Sequence, residues 1–539
     1  MWPKKEVISE KGMVTSSHPQ ATMAGVEILR RGGNAVDAAV ATSLALGVAE
    51  PAMSGLGGRN FAVIHMRGSG DVTAIHANVR SGSKAKPGVF EPISAIAPEG
   101  WPRVKEDANA IGYKAICVPG NAACLSTALE KYGRMGWREV TEPAIRIAEE
   151  GFNIYEAHII DSTTLLSRFS ESEKIFLKPD GSPYKTGEKV RNRDLAESLK
   201  KISEDGADAF YRGEIADSII RDMEEHGGLI TREDLESYKP TVMRASENTY
   251  RGYDFYYTLG ASGGPTLMET LNILEGFDLD ELGPNTPECI HIMAEAMKLA
   301  YADRFEYLAD PEAAEVPLKG LASKEYAAEL QKLVDPKKRA IRAKPGDPWK
   351  YGDEETTHLT VVDEERNMVS MTQSVHGAFG SGVVISGTGI VMNNGMKRFN
   401  PLSGYVTSIE PGKRPLSYQS PHVVLKDGEP FLGLGAPGGS RIPTTLTQVI
   451  INVIDHEMGI QRAIDAPKFH CENREPIIVE TAIPFKESVL IGLKKMGHDI
   501  GTPWPGTRLA SPNGILIDAK TGKLHGGVDP RRPGLAAGH

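Results

Sequence analysis

The run Glu354-Glu355-Thr356-Thr357-His358-Leu359-Thr360-Val361-Val362-Asp363 sets a small hydroxyl residue where a polar, turn-prone stretch gives way to an apolar strand. A threonine hydroxyl is a weak nucleophile and needs an adjacent base. A cut between Glu355 and Thr356 would free an α-amine on the same residue, with an unperturbed pKa of about 7.7–8.0. One residue would then hold both the nucleophile and its base. Threonine is common in strands, so Thr-Thr-His alone is no more than a strand opening, and its surroundings carry the reading.

Those surroundings need a large scaffold. At 539 residues the chain suffices for two or more ordinary domains, or for one large layered domain with additions. Charged residues make up 24% and the apolar set 40%, a globular balance remote from disorder. A formal net charge of -10 gives no basic footprint for nucleic acid. The N-terminal stretch Met1–Glu10 has no apolar core of a leader, and no segment reaches the apolar length of a membrane span. The expectation is a cytoplasmic protein without membrane association, though a chain trimmed of a leader would read the same. Cys117, Cys124, Cys289 and Cys471 form no CxxC pair, so neither structural zinc nor a disulfide framework is expected. The histidines lack HExxH spacing and His470-Cys471-Glu472 has no matching cluster, so no metal and no cofactor is expected.

Residues 19–49 read as two helices separated by Arg31-Gly32-Gly33-Asn34, the second apolar on every side and so buried. Ser54-Gly55-Leu56-Gly57-Gly58 precedes two alternating runs, 61–66 and 72–77, that fit a β-hairpin. A mainly helical middle extends from about 120 to 335, and a charged, proline-containing linker from about 335 to 355 leads to Thr356. Beyond it short β runs are expected at 358–363, 368–374, 382–386, 389–393, 421–425 and 430–435, then a helix near 443–457. Helix-rich sequence followed by strand-rich sequence suggests separate domains. The N-terminal hairpin favours instead one sandwich with strands from both halves.

Linked motifs run the length of the chain: Gly32-Gly33-Asn34-Ala35-Val36-Asp37-Ala38, Ser54–Gly58, Val118-Pro119-Gly120, Gly263-Gly264-Pro265, Ala300-Tyr301-Ala302-Asp303-Arg304, the Thr356 run, Arg414-Pro415-Leu416-Ser417 and Pro437-Gly438-Gly439-Ser440-Arg441. Their order resembles the γ-glutamyltransferase family of N-terminal-nucleophile hydrolases over nearly the whole chain. The resemblance implies an α+β fold, a four-layer αββα sandwich built from a large fragment 1–355 and a small fragment 356–539 after self-cleavage at Glu355–Thr356. The fragments would stay associated as a heterodimer, with a dimer of heterodimers left open. It implies Thr356 as nucleophile, the amides of Gly438 and Gly439 as oxyanion hole, and Ser374 as the hydroxyl bonded to the nucleophile. By strand alternation Thr372 would share the face of Ser374, so either hydroxyl could orient it. Arg80 and Ser417 match positions that hold the substrate's α-carboxylate, a role suited to arginine's planar fork.

The chain departs from the family where the donor's α-amino group is gripped. His376 replaces an asparagine, Gly395 a glutamine, Arg398 a carboxylate, and Tyr418 a second serine. The segment between Phe399 and Arg414 is also shorter than in lidded relatives, so an open site is expected. The expected partner is a small-molecule or peptide amide whose acyl group bears a carboxylate and no α-amine, with His376, Arg398 and Tyr418 among its contacts. Two alternatives stay open: a genuine γ-glutamyltransferase acting on glutathione, and an uncleaved binding or scaffold protein.

Overall fold

The computed structural model describes residues 4–96, 101–155, 158–343, 355–503 and 509–539, with Glu355 and Thr356 described through their backbone. The residues of the expected linker from 344 to 354 lie outside the described residues. Helices Pro19–Arg30 and Ala35–Ala49 lie where expected; the second starts on a capping box, Asn34 accepting from Val36 and Asp37 amides while Asp37 accepts from the Asn34 amide. All of its residues except Gly47 are buried, as its uniformly apolar surface requires.

Among the described residues two seven-stranded sheets form the centre. The first runs Leu535–Gly538, Met13–Ser16, Glu355–Val362, Met368–His376, Arg59–Met66, Asp71–Ala77, Thr241–Arg244. The second runs Val7–Ser9, Leu524–Val528, Asn513–Ile517, Glu429–Gly435, His422–Lys426, Tyr253–Tyr257, Ser246–Tyr250. Neighbours are antiparallel throughout both. Met13, Val63, Val72, Val362, Met368, Val423, Leu425 and Ile515 pack between the sheets. The outer face of the first is covered by helices that include Ala35–Ala49, Asn121–Tyr132 and Trp137–Glu150, and that of the second by Gly264–Leu274, Pro287–Tyr307 and Arg441–Ile454. The layers are helix, sheet, sheet, helix: the αββα sandwich. Each sheet takes strands from both sides of Thr356. Among the described residues no helix is long and apolar enough to cross a membrane, and all four cysteines are buried free thiols.

Two expectations need correction. The helical middle contains strands Thr241–Arg244, Ser246–Tyr250 and Tyr253–Tyr257, whose Tyr250, Phe255 and Tyr257 belong to the second sheet's core. The runs 382–386 and 389–393 form no ladder, only isolated bridges, Val384↔Val391 between them and Met392↔Gly57. Gly387 and Gly389 take φ of 72° and 66°, and the loop's backbone bonds sideways instead: Ser386 N to Asp222, Asn192 Nδ2 to the Gly389 carbonyl, Ser198 Oγ to the Thr388 carbonyl.

Between helices Gly264–Leu274 and Pro287–Tyr307, Glu269 faces Asp303, and Tyr326 donates to Asp303 at 2.6 Å. Burial, then the hydrogen bond and charge of Asp303, push the Glu269 carboxyl well above its usual range. The folded state therefore holds a proton that the unfolded chain has lost, so stability falls as pH rises from the ordinary carboxylate range towards the raised value. Glu269→Gln keeps the hydrogen-bond donor without titrating. Its melting temperature relative to wild type should climb from about pH 6 to about pH 9; a constant difference across that range would show that Glu269 does not carry the proton.

Candidate active site

The strands Glu355–Val362 and Met368–His376 form the expected hairpin, running from Val362↔Met368 to Thr357↔Gln373 in unbroken register. The register then shifts, and Glu355 pairs with His376, so Ser374 and Val375 together oppose Thr356. This bulge re-aims the partner strand at the position of interest. Ser374 Oγ accepts from the His376 amide at 2.8 Å. Thr372, the other hydroxyl considered, is bonded to His358 Nδ1 at 2.9 Å, while His358 Nε2 meets Thr360 Oγ1 at 3.0 Å. Burial, then the nearby His422, push His358 down to about 3, so the ring is neutral. Ser374 is thus the hydroxyl placed opposite Thr356.

The second sheet brings the glycines. A side chain at Gly433 would meet Thr360 Cγ2 at 2.6 Å, and one at Gly435 would meet the His358 ring at 2.4 Å. Strand Glu429–Gly435 therefore lies against strand Glu355–Val362 with Gly433 over Thr360 and Gly435 over His358. The chain then leaves the strand at Gly435 and runs through Ala436 and Pro437 to Gly438 and Gly439, on the side of the seam where Thr357 and His358 begin the facing strand. Gly438 has φ of 144° and would drive a Cβ to 2.4 Å from Ala510 Cα; Gly439 has φ of 59°. Their carbonyls accept from Arg441 and Ile442 amides at the start of helix Arg441–Ile454. Among the described residues, neither glycine amide donates a hydrogen bond. Two such N–H groups at a helix N-terminus favour an anion.

Local sequence explains how the hairpin is held. Gln373 Oε1 accepts from Ser43 at 2.6 Å and Asn121 at 3.0 Å, and its Nε2 donates to the Ser43 carbonyl at 3.0 Å. Val375 N donates to the Met53 carbonyl and Thr357 Oγ1 donates to Glu50 at 2.5 Å. The Ser54–Gly58 glycines are there for close approach: a Cβ on Gly57 would sit 2.3 Å from the Val391 carbonyl oxygen, and one on Gly58 2.3 Å from that of Ser374.

The expected binding residues surround this centre unevenly. Arg80, its side chain 30% exposed, reaches Glu312 at 3.5 Å. Burial would raise the Glu312 carboxyl, but the Arg414 hydrogen bond and the charges of Arg414 and Arg80 outweigh it and hold it lower than usual. Ser417 Oγ accepts from the Gln419 amide at 3.1 Å, and its carbonyl accepts from Arg304 at 2.7 Å. The Tyr418 ring lies 3.9 Å from that same guanidinium, a cation–π platform. Arg398 ends a 3-10 turn, Gly395–Arg398, and lines a crevice with Asp310, Thr407, Lys413 and Arg414. At Gly395 a side chain would meet Val79 at 2.7 Å and Cys117 at 2.8 Å, so a larger residue has no room. His376 is 1% exposed with φ of 77°. Burial, then the charges of Arg59, Arg398 and Lys397, lower its pKa well below the usual value, so its ring is neutral.

Sequence reading missed Arg59. It pairs with Ser374 across the sheet, is fully buried, and donates to Asn78 Oδ1 at 3.3 Å. Its place directly after Gly57-Gly58 was the only available signal. Glu50 and Arg304 were missed as well, because each acts through a partner distant in sequence.

His291, Glu295 and His498 stand close enough to share a cation. Each is already engaged: His291 with His498 at 2.7 Å and the Asp335 carbonyl at 2.7 Å, Glu295 with Lys298 at 2.7 Å and the Ala340 amide at 2.9 Å, His498 with Glu475 at 2.8 Å. The cluster fastens residues 335–340 to the body. His470 likewise bonds Thr444 at 2.9 Å and Glu472 at 3.2 Å.

The chain is similar to known proteins in sequence and in fold. A family described as Gamma-glutamyltranspeptidase matches residues 21–539. The glutathione hydrolase proenzyme of Escherichia coli (strain K12) is 37% identical over 542 residues, covering 97% of this chain and 91% of that protein. The acylase ACY 1 proenzyme of Pseudomonas sp. (strain SE83) is 37% identical over 507 residues, covering 92% and 88%. A crystal structure of cephalosporin acylase from Bacillus halodurans superposes with a TM-score of 0.89 at 31% identity, covering 100% of this chain and 97% of that one.

Proposed function

This chain belongs to the γ-glutamyltranspeptidase family of N-terminal-nucleophile hydrolases, and on that premise we propose that it is a self-processed threonine amidohydrolase or acyltransferase. The observation that supports the reading most is the register in which Ser374 and Val375 oppose Thr356, with the strand leading to Gly438 and Gly439 packed along the same strand at Thr360 and His358. The Thr356 hydroxyl attacks the Glu355 carbonyl, and water releases fragments 1–355 and 356–539. The pinned residues 335–340 and the interleaved sheets keep the two fragments together as a heterodimer.

In turnover, Thr356 Oγ bonds to the amide carbon of the substrate and its proton passes to the freed α-amine. The Gly438 and Gly439 amides hold the oxyanion, each preorganised donor being worth about 2.7–4 kcal/mol of barrier. Collapse breaks the C–N bond, and the leaving amine takes the proton from the α-ammonium. Water or a second amine then attacks the acyl ester and regenerates the hydroxyl.

The acyl group bears a carboxylate and no α-amine. The charges of Arg59, Arg398 and Lys397 bear on His376, and those of Arg414, Arg59 and Arg80 on His76, with Arg80 and Arg414 paired to Glu312 and Arg414 also to Asp310. His376 and Arg398 stand where the resemblance places an asparagine and a carboxylate, so the acid that would grip a substrate ammonium is lacking at that position. Wild-type enzyme should hydrolyse glutaryl-p-nitroanilide with kcat/KM at least about tenfold above γ-glutamyl-p-nitroanilide, a difference of about 1.4 kcal/mol. Equal rates, or preference for the γ-glutamyl compound, would return the chain to the glutathione hydrolases it resembles.

A further inference from the structure

We propose that Glu50 is a positioning residue for the Thr356 nucleophile: its carboxylate reaches across the expected cut, from the large fragment to the small one, and holds the Thr357 hydroxyl so that the new N-terminus stays in place. The inference rests on the self-processed threonine reading above and adds a residue of the large fragment to it.

Three observations converge on this side chain. First, the contact is short and enclosed: Thr357 Oγ1 donates to Glu50 Oε2 at 2.5 Å, with Thr357 fully buried and Glu50 3% exposed. Hydrogen bonds to a carboxylate at such distances are among the stronger ones in proteins. Second, the strand needs a tie at this point. Towards Val362 both of its edges are laddered, but the ladder to Met13–Ser16 ends at Leu359↔Ser16, and on the other edge the register breaks between Thr357 and Glu355. Among the described residues Thr357 is thus laddered on one edge only, next to the nucleophile. Chain ends fray unless tied down, and the cut makes Thr356 a chain end. Third, Glu50 is itself fixed. It caps the C-terminus of helix Ala35–Ala49: its amide donates to the Leu46 carbonyl at 2.8 Å, and its carbonyl accepts from the Met53 and Ser54 amides at 2.9 and 3.1 Å.

The same turn ties the partner strand, since the Met53 carbonyl accepts from the Val375 amide at 3.1 Å and the Ala52 carbonyl from the Phe379 amide at 2.9 Å. One short segment therefore grips both strands of the hairpin: Thr357, next to Thr356, through a side chain, and Val375, next to Ser374, through the backbone. It fixes the nucleophile relative to the hydroxyl opposite it. A carboxyl group is otherwise a poor choice for this place, because burial disfavours its charge and it lies at the negative end of the helix dipole. An apolar side chain would pack there at less cost, but only an acceptor can hold a hydroxyl. Misplacing a reacting group by about 1 Å costs about 10²-fold, so a loosened strand end shows in turnover rather than in binding.

The test uses Thr357→Val, which keeps the shape of the side chain and removes its hydroxyl, on whichever of glutaryl- and γ-glutamyl-p-nitroanilide the wild type hydrolyses faster. In the cut enzyme kcat should fall about tenfold or more with KM within about threefold, and the half-time for loss of the uncut chain should lengthen. Thr357→Ser restores the hydroxyl and should bring kcat to within about threefold of wild type. Glu50→Ala should cost as much as Thr357→Val, and the double variant no more than about threefold beyond either, because the two groups act as one. Unchanged kcat with a lowered melting temperature, which a merely structural bond would give, overturns the assignment, as do losses that multiply in the double variant. If Thr357→Val stays uncut, Glu50→Gln takes its place: its neutral amide is a weaker acceptor, and a wild-type kcat and half-time there overturn the role. A wild type that stays uncut, or a Thr356→Ala chain that still turns over, defeats the threonine reading itself, whereas a cut, active wild type whose kcat is indifferent to Thr357→Val defeats only the role of Glu50.

Discussion

Thr356→Ala should leave a single uncut chain of 539 residues and lower amide turnover by at least about 10⁴-fold. Both effects have one origin, because the hydroxyl that would attack a substrate carbonyl is the one that would attack the Glu355 carbonyl. Intact mass and N-terminal sequencing read the first effect, and anilide release reads the second. Wild type should give two fragments, the smaller beginning at Thr356. Thr356→Ser keeps a hydroxyl and should still cut, more slowly. The strand is paired on both edges, through Leu359↔Ser16 and Leu359↔Met371, so alanine at its first positions leaves the sheet intact. A wild-type chain that stays whole while folded would turn the protein into an uncleaved binding or scaffold protein and sink the catalytic proposal.

Gly438→Ala should lower kcat by about 10²–10³-fold, the size expected for losing one oxyanion donor. The reason is geometric. A Cβ at this position lies 2.4 Å from the Cα of Ala510, which is backbone and cannot swing away, and the φ of 144° suits glycine. The loop must shift, and its amide shifts with it. Ser511 N donates to the Pro437 carbonyl at 2.9 Å, so the displacement is resisted from the other side and falls on the glycines. KM should change by less than about threefold, since a donor aimed at the transition state contributes little to ground-state binding. A variant that cuts itself and keeps wild-type kcat would show that the Gly438 amide does not face the oxyanion. Gly433→Ala is the instructive companion: its clash at Thr360, 2.6 Å away, lies farther along the same seam and should lower stability rather than kcat alone.

Much of the scaffold could be read in advance because it depends on local order. The periodicity of 19–49 gave two helices, with Asn34 and Asp37 at the second one's start, and the alternation in 61–66 and 72–77 gave a hairpin. The Thr356 strand and its partner followed from a short turn between two apolar runs. Reading failed where apolar runs were satisfied sideways. Residues 382–393 have strand composition, but two positive-φ glycines and side-chain partners from Asn192, Ser198 and Asp222 close them into a loop. The terminal strands Val7–Ser9, Met13–Ser16 and Leu535–Gly538 escaped notice because they are short and pair with segments remote in sequence, whereas Asn513–Ile517 and Leu524–Val528 form a local hairpin that the reading missed.

The sequence by itself determined which residues could react and in what order the motifs occur: a Thr-Thr-His strand opening, a Gly-Gly pair after an apolar strand, and histidine and arginine where relatives carry amide and acid. Covalent order and side-chain chemistry are written in the chain directly. Tertiary structure alone decided which of these meet. That Gly435 lies on His358 depends on the packing of two sheets, that Arg59 stands beside Ser374 on pairing of distant strands, and that Ser374 rather than Thr372 opposes Thr356 on a bulge in the hairpin. No local spacing encodes such pairing. The charge state of His376 was equally out of reach, since burial and three cations from other elements set it.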